Sequence, residues 1–363
     1  MTRVIPLACL WLVLATAIAA PPDERAPGLE VRLQQATVDL DRLRGALDPR
    51  LYADAARRVQ SLADQAPQHP RVLALQAWLA MTAHGFAEAL ALADRALAHD
   101  PREPVALALR TDALTELGRY PEAIDAAEAL DSAVVGPPAV LRIAHLRRLH
   151  GDLEGAVELV DQVVRRHPAS DRDHAWLVRE LAALHWHGGR DAPALALLEA
   201  LPQDDREALM LRARIVETGG RTAEAHALWA QAGELTPLPA ALLGQWRTAG
   251  DAAERRRLSH RLAGMARLDE GQSGVARRDF VEFFARSGRL DEAMRLARLE
   301  YRRRPDVFGA AQLAWVLALA GERDAAAAHA GEATRLGTID RELAAHVAAA
   351  GGGKVAADGR QGQ

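Results

Sequence analysis

Residues 116–130, ELGRYPEAIDAAEAL, place Gly118, Tyr120, Glu122 and Ala123 at tight spacing, and the same order returns along the chain. It reappears as HGFAEALALADRALAHDP (84–101), GDLEGAVELVDQVVRRHP (151–168), GRTAEAHALWAQAGELTP (220–237), GRLDEAMRLARLEYRRRP (288–305) and GERDAAAAHAGEATRLG (321–337). With the small residue as marker, Ala55, Ala89, Ala123, Ala156, Ala194, Ala225, Ala293 and Ala326 follow at intervals of 34, 34, 33, 38, 31, 68 and 33. The 68 is twice 34, which places one degenerate copy within 239–272, where spacing survives better than residue type. Twelve positions after the marker a proline closes the unit at Pro67, Pro101, Pro168, Pro237 and Pro305. A fixed period of this length means one supersecondary unit stacked many times.

The unit reads as two helices. Ala and Leu dominate, Val and Ile are sparse and aromatics make up 4% of the 363 residues, which favours helix over sheet. Gly118 or Gly151 supplies the left-handed residue that ends a first helix, and Pro101 or Pro168 stops a second because it cannot continue the hydrogen-bond ladder. Ala89, Ala123 and Ala156 are small where two helices must approach closely, with Phe86 and Tyr120 filling the space beside them.

These features, over roughly residues 50–338, resemble the tetratricopeptide repeat family, although that family's first-helix tryptophan is missing from most copies. The resemblance implies an all-α, right-handed α-solenoid of about eight to nine antiparallel helix hairpins over 29–350. The clearest repeats are 70–168, 206–237 and 274–338. Helices around 29–47 and 341–350 are expected to cap the two ends. The 38-residue interval around 168–188 is expected to lengthen a loop or helix, and 351–363 has the composition of a disordered tail.

The first residues, MTRVIPLACLWLVLATAIAAPPDE, carry one basic residue, an apolar run from Val4 to Val13, and Ala17-Ile18-Ala19 ahead of Pro21 and Pro22. Residues 1–20 therefore read as a cleavable export signal, with cleavage after Ala19 or Ala20 and a periplasmic or secreted destination. An uncleaved inner-membrane anchor is the alternative. The single cysteine, Cys9, falls inside that signal, so the mature chain is left without a disulfide and depends on packing. A formal charge of −4 gives no global field to hold nucleic acid.

Motifs of chemistry are scarce, so neither enzymatic activity, a cofactor nor a metal is expected. No HExxH occurs, and in HWH (185–187) the two histidines sit about 200° apart on a helix, which prevents chelation of one ion. GQSG (271–274) lacks the second glycine of a nucleophile elbow and reads as a turn. What remains is the concave surface, which in the resembled family is lined by the first helix of each pair and binds a peptide or a partner's helix. Counting back from the marker alanines, the residues expected to face inward are Trp78, Asp112, His145, Arg148, Arg179, Trp186, His187, Arg214, Glu217, Arg278 and Glu282. The set leans basic in the middle, and Arg and Trp anchor binding well, so the expected partner is a protein or peptide with acidic groups. The alternative is an anionic glycan or small acidic ligand, stacked on Trp186 and paired with Arg179 and Arg214. The carboxylate clamp of chaperone-binding relatives uses asparagine and lysine, which this groove lacks. One stability expectation follows from the marker: Ala123→Leu overpacks the helix crossing and lowers the free energy of urea unfolding by about 1–3 kcal/mol.

Overall fold

The computed structural model describes residues 27–43, 49–134, 136–170, 173–270 and 277–351. The expected signal at 1–20, the GQSG turn and all of the expected tail except Gly351 lie outside them. Among the described residues there are nineteen helices and no strand. They form nine consecutive pairs: α1 (Pro27–Arg42) and α2 (Pro49–Gln65), α3 (Pro70–Thr82) and α4 (Phe86–His99), α5 (Pro104–Glu116) and α6 (Tyr120–Ala133). Next come α7 (Pro137–Leu149) and α8 (Leu153–Arg166), α9 (His174–His187) and α10 (Asp191–Glu199), and α11 (Arg206–Thr218) and α12 (Thr222–Leu235). The last pairs are α13 (Pro239–Thr248) and α14 (Ala252–Glu270), α15 (Arg277–Arg286) and α16 (Leu290–Arg303), and α17 (Val307–Leu319) and α18 (Arg323–Thr334), before a final helix α19 (Arg341–Ala350).

Local chemistry sets these boundaries. Pro70, Pro104, Pro137 and Pro239 open first helices, where the missing N–H costs nothing. The carboxylates of Glu103, Asp205 and Asp306 accept from the backbone N–H of Ala106, Ala208 and Gly309 at 2.6, 2.9 and 2.7 Å, capping α5, α11 and α17. Gly118 ends α5 at φ 69°, and His84 holds the corresponding turn of the preceding pair at φ 60°. The eight marker alanines are all fully buried. In the degenerate seventh pair, Ser259 stands 34 residues after Ala225 and its hydroxyl accepts from the Trp246 indole at 2.8 Å. The irregular 38-residue interval is a longer connection, residues 167–173, between α8 and α9, and the 31-residue interval that follows reflects the nine-residue α10.

The stack does not run out in one direction; it folds back on itself. The carbonyls of Ala83 and His84, at the end of α3, accept from the Arg303 guanidinium at 2.8 and 2.9 Å. The Val307 N–H donates to the Tyr120 hydroxyl at 2.9 Å, and the Thr338 hydroxyl donates to the Leu149 carbonyl at 2.7 Å. Thus the turns of the second to fifth pairs rest on the connections that follow α16 and α18. The largest apolar core is continuous across this seam, joining residues between Leu33 and Leu149 to Val307, Phe308, Ala310, Ala311, Ala333 and Leu343.

Gly118 lies at the seam. A Cβ there would overlap the Pro305 carbonyl oxygen, whereas one at Gly220, at φ 79°, meets nothing. Both sites carry the left-handed penalty of about 1 kcal/mol for alanine. Gly118→Ala is therefore expected to destabilise the chain more than Gly220→Ala in chemical denaturation, the excess measuring seam closure.

Candidate functional site

The charges expected on the concave face pair with one another between neighbouring pairs of helices. Asp112 on α5 binds the Arg142 guanidinium of α7 at 2.5 Å. Arg179 on α9 pairs with Asp205 at the start of α11. Arg247 on α13 bridges Glu217 of α11 and Glu282 of α15 at 2.7 and 3.1 Å. Arg278 on α15 reaches Asp306, ahead of α17, at 2.6 Å. Each rung ties one first helix to the next.

The middle of the trough is filled by the chain's own end. Asp340, at the N-terminus of α19, lies 2.8 Å from Arg148 of α7 and 3.4 Å from His187 of α9. Two residues on, Glu342 pairs with Arg214 of α11. Farther along α19, His346 stacks on Trp315 of α17, with ring centroids 4.9 Å apart. The Asp340 carboxylate also accepts from the backbone N–H of Glu342 and Leu343, so it caps its helix while meeting the Arg148 guanidinium and the His187 imidazole. Arg148 and Asp340 each keep 1% of their side-chain surface.

Residue by residue, the structure brings Arg148, His187 and Arg214 together around α19, while His145 sits beside Arg148, its Nδ1 3.4 Å from the guanidinium. Trp78 and Trp186 are each 2% exposed and belong to the apolar core, so neither presents an open ring to the trough. The Arg341 guanidinium covers Trp186 at 5.9 Å from the ring centroid. Counting from the sequence missed Asp340, Glu342 and His346, because α19 reads as a bare cap; the acidic pair flanking Arg341 was the available signal. Among the described residues no group of three or more His, Cys, Asp or Glu side chains is arranged to hold a metal, and no helix is long and apolar enough to cross a membrane.

Burial shapes the protonation of this interior. It pushes the Asp112 carboxyl up to about 7 against the pull of Arg142, and raises the Glu180 carboxyl to about 7 as well. Burial also drives the His187 imidazole down to about 3, with Arg148, Arg214 and Arg341 acting in the same direction and Asp340 opposing them. A base whose folded value lies below its unfolded value near 6.5 stabilises the fold above that pH and loses the contribution as pH falls towards 3. His187→Asn keeps an acceptor near the Nδ1 position and removes the titration. Between pH 7 and pH 4 the native chain is expected to lose on the order of 3 kcal/mol more stability than this variant, read by urea titration at each pH.

No protein-family profile and no curated protein matches the chain. Solved structures with a related helical arrangement include a tetratricopeptide repeat protein from Parabacteroides merdae, 18% identical, which covers 59% of this chain and 81% of its own, with a TM-score of 0.46. Pseudomonas aeruginosa pilF is 18% identical over 58% of this chain and 92% of its own, with a TM-score of 0.40. A human IFIT1 dimer with PPP-AAAA is 14% identical over 88% and 96%, with a TM-score of 0.48. These are distant likenesses of fold. Nine helix pairs, their marker alanines buried at a period near 34, make this chain an α-solenoid of the tetratricopeptide repeat type.

Proposed function

We propose that this chain is an exported, non-enzymatic scaffold that holds a protein partner or an extended peptide with acidic groups in its concave trough, in envelope assembly or secretion. The observation that carries this reading is the occupancy of Arg148, His187 and Arg214 by the carboxylates of Asp340 and Glu342. Two arginines on first helices, with the neutral His187 imidazole between them, match two carboxylates on one helical turn, which is the chemistry an acidic helix or peptide would offer. Arginine suits such a trough because its planar fork binds carboxylates bidentately and remains charged at any working pH. Entry of a partner then requires α19 to yield its place. The export part of the reading rests on the character of residues 1–20. An anionic glycan has weaker support, since the Trp186 ring that would stack on a sugar is buried.

Two measurements test the proposal. The N-terminal sequence of the mature protein is expected to begin at Ala20 or Pro21, and an intact Met1 in the envelope fraction would replace export by anchoring. In-cell photocrosslinking from Arg179, whose side chain is 21% exposed, is expected to trap one recurrent protein. Asp340→Asn combined with Glu342→Gln is expected to increase that yield severalfold by loosening α19. Absence of a recurrent adduct in both forms would reject the trough as a partner site.

A further inference from the structure

The outer helix of the degenerate repeat carries a concentrated row of basic side chains. Leu258, Leu262, Ala266 and Asp269 bury one face of α14. The opposite face, an arc of about 140° at 100° per residue, carries Arg256, Arg257, His260, Arg261 and Arg267, all exposed. From Ala253 to Leu268 this arc contains no acidic residue. Elsewhere on the outer surface several basic side chains are matched: Arg165 pairs with Asp161 at 2.8 Å, Arg221 with Glu224 at 3.0 Å and Arg298 with Glu322 at 3.1 Å. Two carboxylates stand at the start of α14: Glu254 lies 3.5 Å from His226, and Asp251 caps the helix, accepting from the N–H of Ala253 and Glu254, with Arg257 and Arg256 helping to hold its carboxyl below the usual range. Farther along, no ion pair engages Arg261 or Arg267 among the described residues. An array of like charges on one helix face repels itself and weakens the helix. In a chain of net charge −4 it is a local reversal of sign.

The basic face also borders a recess. Pro237, His260, Arg261, Met265, Arg267 and Leu268 line a surface cleft of about 560 Å³, with Gly264 in its floor. Leu268 is 66% exposed, and Leu235, two residues before Pro237, is 46% exposed. The site therefore combines apolar lining with two arginines, Arg261 and Arg267, and the His260 side chain. Arginines spaced along about 16 Å of helix match an extended chain of carboxylates, and the exposed Leu268 and Leu235 beside them offer apolar contact to one of its side chains.

We infer that this cleft and the basic face of α14 form a docking surface for an acidic peptide segment of a protein partner, with one apolar side chain of that segment seated between Pro237 and Leu268. The surface lies outside the trough, and the inference does not depend on what the trough holds. Its partner is recognised by two features together: carboxylates along the arginine face and an apolar anchor in the cleft.

Fluorescence anisotropy of the mature chain tests this, with a labelled twelve-residue Asp/Glu peptide carrying one central leucine as probe. Binding is expected to weaken as salt rises, and to fall roughly tenfold or more in the Arg257→Glu/Arg261→Glu double variant. Exchange of the leucine for serine is expected to cost a further severalfold, through loss of the anchor. Arg257→Gln/Arg261→Gln provides a milder version, and circular dichroism of both variants verifies that the helical fold is retained. Arg165→Glu, on the exposed face of α8, is expected to leave this peptide's affinity unaltered, which separates the α14 face from surface charge in general. No binding of the peptide, affinity indifferent to the double variant or to the leucine, or tighter binding of phosphatidylglycerol vesicles or of a DNA oligonucleotide than of the peptide would each overturn the inference.

Discussion

Arg148 and Asp340 are 192 residues apart in sequence and 2.8 Å apart in space, both almost without contact with water. Burying two charges is costly unless geometry and further hydrogen bonds compensate, and here they do: Asp340 also accepts two backbone N–H groups, and the Arg148 guanidinium donates to the Ile339 carbonyl. Removing either partner would leave an uncompensated buried charge, a loss typically of about 3–5 kcal/mol. Around this pair the Tyr120–Val307, Leu149–Thr338 and Arg303–His84 contacts are held in register. The closure and the occupied trough are consequences of one another.

A repeat array ordinarily gains stability from neighbour against neighbour, so that each interface contributes separately. This chain adds contacts between its second to fifth pairs and its last two, bonded across separations of 187 to 220 residues. Such contacts require loop closure over most of the chain before they contribute. They also change what the inner surface offers. In an open solenoid the first-helix charges face solvent; here they form rungs between helices and hold α19, and cations without an ion pair are left on outer helices, Arg261 and Arg267 of α14 among them.

Most of the repeat architecture was legible in the sequence because its causes are local. A marker alanine, a left-handed turn residue and a closing proline are each readable in a window of a dozen residues, and the marker positions from Ala55 to Ala326 are all buried as the spacing requires. The degenerate copy was found from spacing alone, and Ser259 in the marker register shows why spacing outlasted residue type: a small side chain suffices. The place of Asp112, Arg148, Arg179 and Arg214 on first helices was also legible, since it follows from the marker spacing. Their engagement was not. Phase assigns a side chain to a face and is silent about what arrives from 128 or 192 residues away to meet it. Trp78 and Trp186 illustrate the same limit, because one step of phase separates the trough from the core between helices.

By itself, then, the sequence determined the unit, the number of its copies and the face on which each charge lies, because these depend on short-range sterics and helical periodicity. The tertiary structure alone decided that the stack closes, that Asp340 and Glu342 fill the trough and that the arginines of α14 stay unneutralised, because small rotations between successive pairs accumulate along the array and only their sum brings distant carboxylates and guanidiniums within reach.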